Sequence, residues 1–194
     1  MKRQHNVQQQ PNKWVVPAFA NNTRLFWSTC LILLMSACSS TNWTTFTPTT
    51  GGYSVLMPEP RASKTGTMNT GAGALTSHIH IAWHGPVNFI SAWYDFPADY
   101  VAAHGPDVIL ENSAALSVRN FKGEVVESKK IKQGPMEGIA YRLQSPGGTV
   151  FRFRTFMQEN RVYALVTSSP EKEYENHHII MEKFLHSFRL NKAQ

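Results

Sequence analysis

Residues 124 to 167 alternate between apolar and polar side chains, and three turn sequences interrupt the pattern. The turns are Gln133-Gly134-Pro135, Pro146-Gly147-Gly148 and Glu159-Asn160. Because successive side chains of a strand point to opposite faces of a sheet, the pattern predicts four antiparallel strands joined by tight turns. A helix has a period of 3.6 residues, so this stretch restricts the fold more than any other part of the chain.

The positions of the turns also predict which residues of this meander lie opposite each other. Folding the chain about Gly147 gives three opposite pairs, Tyr141 with Phe153, Leu143 with Phe151, and Arg142 with Arg152. Folding about Glu159-Asn160 sets Met157, Thr155 and Phe153 against Val162, Ala164 and Val166. The same face is apolar in all three strands, and the other face carries arginines.

The remaining segments predict further strands and two helices. We expect a strand at residues 53–57, stopped by Pro58 and Pro60, and two strands at 75–83 and 88–96 joined by His84-Gly85-Pro86. Residues 61–74, rich in Gly, Thr and Ser, predict a loop. Pro106 begins a predicted helix over 106–121, and Ser169-Pro170 begins a second, amphipathic one. The fold class is therefore α+β, a mostly antiparallel sheet of about six to seven strands flanked by two helices.

The sequence predicts an export signal that ends at Cys38, the second of the two cysteines. Arg24 precedes an apolar stretch that reaches Met35, and small residues follow. The apolar stretch is shorter than the roughly 20 residues that a membrane-spanning helix needs. Leu34-Met35-Ser36-Ala37-Cys38 resembles the lipobox of bacterial lipoproteins, which implies cleavage before Cys38 and a covalent lipid on its thiol. Ser39 then favours the outer membrane, because an Asp at this position is typical of inner-membrane retention.

With lipidation at Cys38, the chain is predicted to have three parts. Residues 1–37 are the expected signal peptide with a long polar lead-in, 38–50 a lipidated Ser/Thr-rich tether, and 51–190 one domain facing the periplasm. After Cys38 the chain keeps 15 of its 19 basic residues and all 13 acidic ones, a net charge of +2. Such a weak excess argues against nucleic acid as a partner. With Cys30 in the signal, the domain has no pair of cysteines for an internal disulfide.

The order of the elements resembles the PsbP-like α/β/α sandwich, which is shared with Mog-type Ran-binding proteins and many small bacterial lipoproteins. The similarity covers residues 51–190 and rests on four segments, 52–58 (GYSVLMP), 92–97 (AWYDFP), 161–165 (RVYAL) and 184–190 (FLHSFRL). These residues are mostly apolar and aromatic, so they imply the fold and carry no activity with them.

Histidines supply the candidate metal ligands. His78 and His80 share one face of a predicted strand, and His84 follows at the turn, so the three imidazoles could reach one metal ion. The alternative is an ordinary polar sheet face. His178, Glu182 and His186 form a second stripe along the closing helix, with a solvated helix flank as the commoner explanation.

The arginine face is the candidate contact surface. Arg142, Arg152 and Arg154 gather on one side of the meander and could contact an anion, a lipid headgroup or a partner. The commoner explanation is that neighbouring glutamates or plain solvent relieve their repulsion. No nucleophile elbow or Gly-rich phosphate loop occurs in the sequence. We therefore expect a non-enzymatic binding or assembly module in an envelope protein complex, without a cofactor. The alternatives are a periplasmic metal-binding protein and a hydrolase.

Overall fold

The computed structural model describes residues 42–191. Two helices and ten strands follow one another in the order β1 (Trp43–Phe46), β2 (Tyr53–Pro58), β3 (Arg61–Thr70), β4 (Gly73–His84), β5 (Val87–Asp95), α1 (Ala98–Phe121), β6 (Glu124–Gln133), β7 (Met136–Gln144), β8 (Thr149–Gln158), β9 (Arg161–Pro170), α2 (Glu171–His186) and β10 (Arg189–Leu190). None of the helices in this part of the chain is long and apolar enough to cross a membrane.

Seven strands form the main sheet, in the order β3-β4-β5-β9-β8-β7-β6. Every neighbouring pair is antiparallel. The sheet consists of two meanders, β3 to β5 and β6 to β9, which join where β5 pairs with β9. A separate three-stranded sheet has the order β1-β2-β10.

The register predicted for the second meander is confirmed. Tyr141 lies opposite Phe153 and Arg142 lies opposite Arg152 in the β7–β8 pair. Met157 lies opposite Val162 in the β8–β9 pair. Each tight turn fixes which residues face each other, and the alternation of apolar side chains then fixes which face is buried.

The main sheet is covered on both faces. On one face α2 and the small sheet enclose a core that includes Phe89, Phe156, Phe184 and Phe188, each almost fully buried. On the other face α1 packs against β7 and β8, and its two buried residues, Ile109 and Leu110, belong to a core that includes Tyr94, Met157 and Val162. The architecture is therefore the α/β/α sandwich that the element order predicts.

The number of strands differs from the prediction. Residues 42–191 form ten strands in two sheets, where about six to seven in one sheet were expected. The strand at Tyr53–Pro58 belongs to the small sheet. Residues 43–46, expected within the tether, form β1, and residues 61–70, expected in a loop, form β3. Both segments contain more than one Thr residue and are partly exposed, and neither shows the sustained apolar alternation on which the prediction depends.

Helix α1 begins eight residues earlier than expected, at Ala98. Gly105 interrupts it with a φ of 75° and a ψ of 162°, which divides α1 into two helical segments. The second segment begins with Pro106 as predicted, because a proline at the first helical position loses no hydrogen bond.

Candidate functional site

The proposed lipidation site, Cys38, lies outside the described residues. The first described residue is Asn42, and β1 begins one residue later at Trp43. Trp43 packs edge-on against Phe89 at 5.1 Å, and Lys183 of α2 lies 5.3 Å from the centre of its indole ring. The chain is therefore attached to the domain core only five positions after Cys38.

The histidines of β4 lie on the sheet face that α2 and the small sheet cover. His78 stacks on Trp93, with ring centres 3.9 Å apart. The Nδ1 atom of His80 lies 2.8 Å from Ser63 Oγ, and its ring contacts Phe46. Burial lowers the pKa of His80, and the neighbouring charge of His78 lowers it further. Within residues 42–191 no three His, Cys, Asp or Glu side chains are arranged to hold a metal ion, so His78, His80 and His84 do not form a ligand set.

The three arginines lie together on the face of the meander that α2 covers. Arg142 is directly opposite Arg152, and Arg154 stands two residues further along β8. They line a small recess of about 70 Å³ between β6, β7, β8 and α2. We call this the arginine recess, and its charged lining consists of Lys129, Arg142, Arg152, Arg154, Glu127, Glu182 and His186.

Carboxylates relieve the repulsion between the two facing arginines. Arg152 Nη2 lies 2.9 Å from Glu182 Oε1, and Arg152 Nη1 donates a hydrogen bond of 2.7 Å to the hydroxyl of Tyr174. Arg142 Nε lies 4.0 Å from Glu127 Oε2 across the β6–β7 pair. Nearby glutamates therefore account for the like charges at these opposite positions.

Arg154 is less well compensated than Arg152. Its Nη1 atom lies 3.0 Å from Nε2 of His186, while its buried Nε atom has no hydrogen-bond partner among the described residues. Burial lowers the pKa of Arg154, and the adjacent charge of Arg152 lowers it further, although nearby Glu182 opposes both effects. The recess thus keeps a partly buried guanidinium whose hydrogen-bonding capacity is incompletely used.

Two of the three residues predicted to form a stripe along α2 lie together, and the third, His178, does not. Glu182 and His186 both line the arginine recess, where His186 Nε2 lies 3.1 Å from Glu182 Oε2. His178 instead places Nδ1 2.8 Å from the main-chain oxygen of Glu175. The structure therefore joins two members of this stripe to the arginine face rather than to a metal site.

Sequence reasoning missed Glu127, Lys129 and Tyr174. The sequence could have predicted the first two, because folding the chain about the turn at Gly134 places Glu127 opposite Arg142 and Lys129 opposite Ala140. It could not have predicted Tyr174, because the contact of Tyr174 with Arg152 depends on how α2 is placed over the sheet.

The charged lining of the recess contains the groups with which proteins can bind an anion. Four cationic side chains and two carboxylates line it, together with His186. Planar guanidinium groups bind carboxylates and phosphates through paired hydrogen bonds, and partial burial strengthens such bonds.

Comparisons with known proteins bear on the fold. No family model matches the chain, and no curated protein matches it by sequence. The solution structure of the cyanobacterial PsbP protein (CyanoP) from Synechocystis sp. PCC 6803 is similar with a TM-score of 0.57 at 10% identity, over 79% of this chain and 95% of that one. A crystal structure of a protein of unknown function from Pseudomonas aeruginosa covers 73% of this chain and 92% of its own, at 10% identity and a TM-score of 0.37. The similarity to CyanoP shows that this chain has a PsbP-like fold.

Proposed function

We propose that this protein is a lipid-anchored protein of the bacterial cell envelope, whose PsbP-like domain serves as a non-enzymatic binding module in a protein complex. The lipid is attached at Cys38, and Ser39 directs the protein to the outer membrane. The domain faces the periplasm. The PsbP-like fold of the domain supports an accessory role of this kind.

The short link between Cys38 and the domain supports this placement. Four residues, 39–42, separate the cysteine from β1, and the five steps from Cys38 to Trp43 span at most about 18 Å in an extended chain. The anchor would therefore hold the domain close to the membrane surface, where a protein complex of that membrane is within reach.

The single observation that carries the binding role is the arginine recess. Its four cations, Lys129, Arg142, Arg152 and Arg154, outnumber its two carboxylates, Glu127 and Glu182. An acidic segment of a partner protein would pair with this excess of positive charge. Complementary charge of this kind increases the rate and specificity of association.

Charge reversal in the recess tests this role. The full-length protein is purified from membranes by a C-terminal tag after chemical crosslinking, beside an Arg142→Glu, Arg154→Glu double variant. Lys172→Glu is the matched control, because Lys172 is exposed at the start of α2 and does not line the recess. Thermal melting of all three proteins shows whether each is folded.

We expect one or more envelope proteins to be crosslinked to the wild type and to Lys172→Glu. The same envelope proteins should not be crosslinked to the folded double variant. If the folded double variant captures the same proteins in the same amounts, the recess is not the contact surface. The described residues offer no specific observation in favour of a histidine metal site or a hydrolase, so neither is proposed.

A further inference from the structure

A long groove lies between α1 and the main sheet, on the face opposite the arginine recess. It consists of two adjoining spaces of about 400 and 700 Å³. Helix α1 forms one wall of both spaces, because both are lined by its Ser113, Leu116 and Arg119. They also share Asn69 and Tyr94. Volumes of this size are typical of sites that bind small molecules.

The groove exists because α1 covers only part of its sheet face. Helix α1 packs on β7 and β8, whereas Ile79 of β4 and the facing Ala92 and Ala164 of β5 and β9 are left partly exposed. Ala92 lies opposite both Ile79 and Ala164 in the sheet register. Two small side chains at the centre of the floor therefore give the groove its depth and an apolar base.

One end of the groove is closed by the turn between β3 and β4. A Cβ atom added at Gly71 would lie 2.7 Å from the hydroxyl oxygen of Tyr100, so the turn touches the first turn of α1. The Tyr100 ring stacks on Phe96 with ring centres 5.5 Å apart, which fixes this end. The groove is thus a bounded site rather than a flat patch.

Arg119 is the only charged residue among the described residues that line the groove. It is exposed in the last turn of α1, where it complements the negative end of the helix dipole. Within residues 42–191 no carboxylate forms an ion pair with it. The side chains near it, Asn69, Asn112 and Ser113, are neutral hydrogen-bonding groups. The polar margin of the groove therefore has a single uncompensated positive charge.

We propose that this groove binds a single-chain anionic amphiphile of the fatty-acid class. The hydrocarbon chain lies on the apolar floor around Ala92 and Ala164, and the carboxylate pairs with Arg119. A bidentate bond between a guanidinium and a carboxylate sets the orientation of the ligand. This inference uses residues on the face opposite the arginine recess, and it holds or fails independently of the proposed anchor and binding role.

Photolabelling of the full-length protein in nanodiscs of neutral phosphatidylcholine tests the inference. The probe is decanoate with a diazirine in its chain, and labelled peptides are identified by mass spectrometry. Three variants are compared with the wild type. Arg119→Ala removes the cation, Ala164→Trp fills the floor, and Lys172→Ala removes a charge from the opposite face as the matched control.

The expected result is labelling concentrated in β4, β5, β9 and the second half of α1, which line the floor and one wall of the groove. Arg119→Ala should reduce it by about tenfold, the effect of losing one charge-assisted pair, and Ala164→Trp should reduce it at least as much. Lys172→Ala should leave it unchanged. Unlabelled decanoate should compete, and the cationic amphiphile decyltrimethylammonium should not.

Two outcomes would overturn the inference. One is labelling spread evenly over the surface, or undiminished in Arg119→Ala and Ala164→Trp. The other is equal competition by the cationic and anionic amphiphiles, which would mean that the groove takes apolar chains without regard to charge. Thermal melting of Ala164→Trp separates loss of the site from loss of the fold, and Arg119→Ala, an exposed change, keeps the test decisive if Ala164→Trp does not fold.

Discussion

Arg152 and Glu182 face each other at 2.9 Å in the layer between the main sheet and α2. Arg152 also donates a hydrogen bond to Tyr174, one residue of the first turn of the same helix. Helix α2 is therefore attached to β8 by a charged side chain in addition to the apolar contacts of Phe184 and Leu185.

We expect Glu182→Gln to lower the free energy of unfolding by about 1 kcal/mol, because Arg152 and Arg154 then lose their nearest carboxylate while both stay partly buried. Glu175→Gln is the control on the exposed side of the same helix, with an expected change within about 0.5 kcal/mol. Urea unfolding measures both. Equal losses in the two variants would show that the pair contributes nothing specific.

Arg161 connects three parts of the domain. Its guanidinium donates two hydrogen bonds to the carboxylate of Asp95, of 2.6 and 2.8 Å. It also lies 4.2 Å from the centre of the Trp93 ring and donates a hydrogen bond to the main-chain oxygen of Gly51. We expect Arg161→Ala to lower the free energy of unfolding by about 1–2 kcal/mol. Arg161→Lys should recover less than half of the loss, since an ammonium group cannot make the paired bond. Full recovery in thermal or urea unfolding would mean that charge alone matters.

Two buried tyrosines predict a loss of stability at high pH. Burial raises the pKa of Tyr53 and of Tyr141 from 10.0 to about 12. The folded state then binds more protons than the unfolded state between these values, so the stability is complete below pH 10 and falls as the pH rises towards 12. The full effect is on the order of 2–3 kcal/mol for each tyrosine.

Urea unfolding at a series of pH values measures this dependence. A Tyr53→Phe, Tyr141→Phe double variant should lose less stability than the wild type over the same interval. Some dependence should remain, because burial also raises the pKa of Tyr94. Identical profiles for the two proteins would mean that the phenols of Tyr53 and Tyr141 ionise as readily in the folded state as in the unfolded state.

Gly138 is the position on β7 where the sheet has no room for a side chain. A Cβ atom there would lie 2.6 Å from both Phe156 Cδ1 and the main-chain oxygen of Thr155. We expect Gly138→Ala to lower the free energy of unfolding by about 1–3 kcal/mol, because the buried Phe156 ring and the adjacent strand must move. Gly147→Ala, whose Cβ would have no atom nearer than 3.9 Å, is the control. A difference of less than about 0.5 kcal/mol between them would contradict the close packing of β7 on β8.

The sequence alone predicts the strands for which the position of the turn and the alternation of apolar side chains give the same register. The turns at Gly147 and Asn160 fix the register of β7, β8 and β9, and the buried face follows from it. For β1 and β3 this agreement is missing, since Thr, Ser and Gly fit loops and exposed edge strands equally well. Placing β2 in a second sheet requires its partners β1 and β10, which are too short to recognise by pattern.

The candidate sites also contain features that the sequence predicts and features that it does not. The meander places Arg142, Arg152 and Arg154 on one face, and the alternation of their strands is enough to predict this. The contacts of Arg152 with Tyr174 and Glu182 depend on the placement of α2. The groove beside Arg119 has no sequence signal, because it results from how much of the sheet α1 leaves uncovered.

The most direct test of the proposed function is the intact mass and membrane fractionation of the full-length protein expressed in a bacterium. Cys38→Ala is the test variant, and Cys30→Ala is the matched control within the same apolar segment. We expect the wild type and Cys30→Ala to lose residues 1–37, to gain the mass of acyl chains and to enter the membrane fraction. Cys38→Ala should gain no acyl mass. If the wild type and Cys38→Ala have the same unacylated mass and the same distribution, Cys38 is not lipidated and the anchored role is wrong.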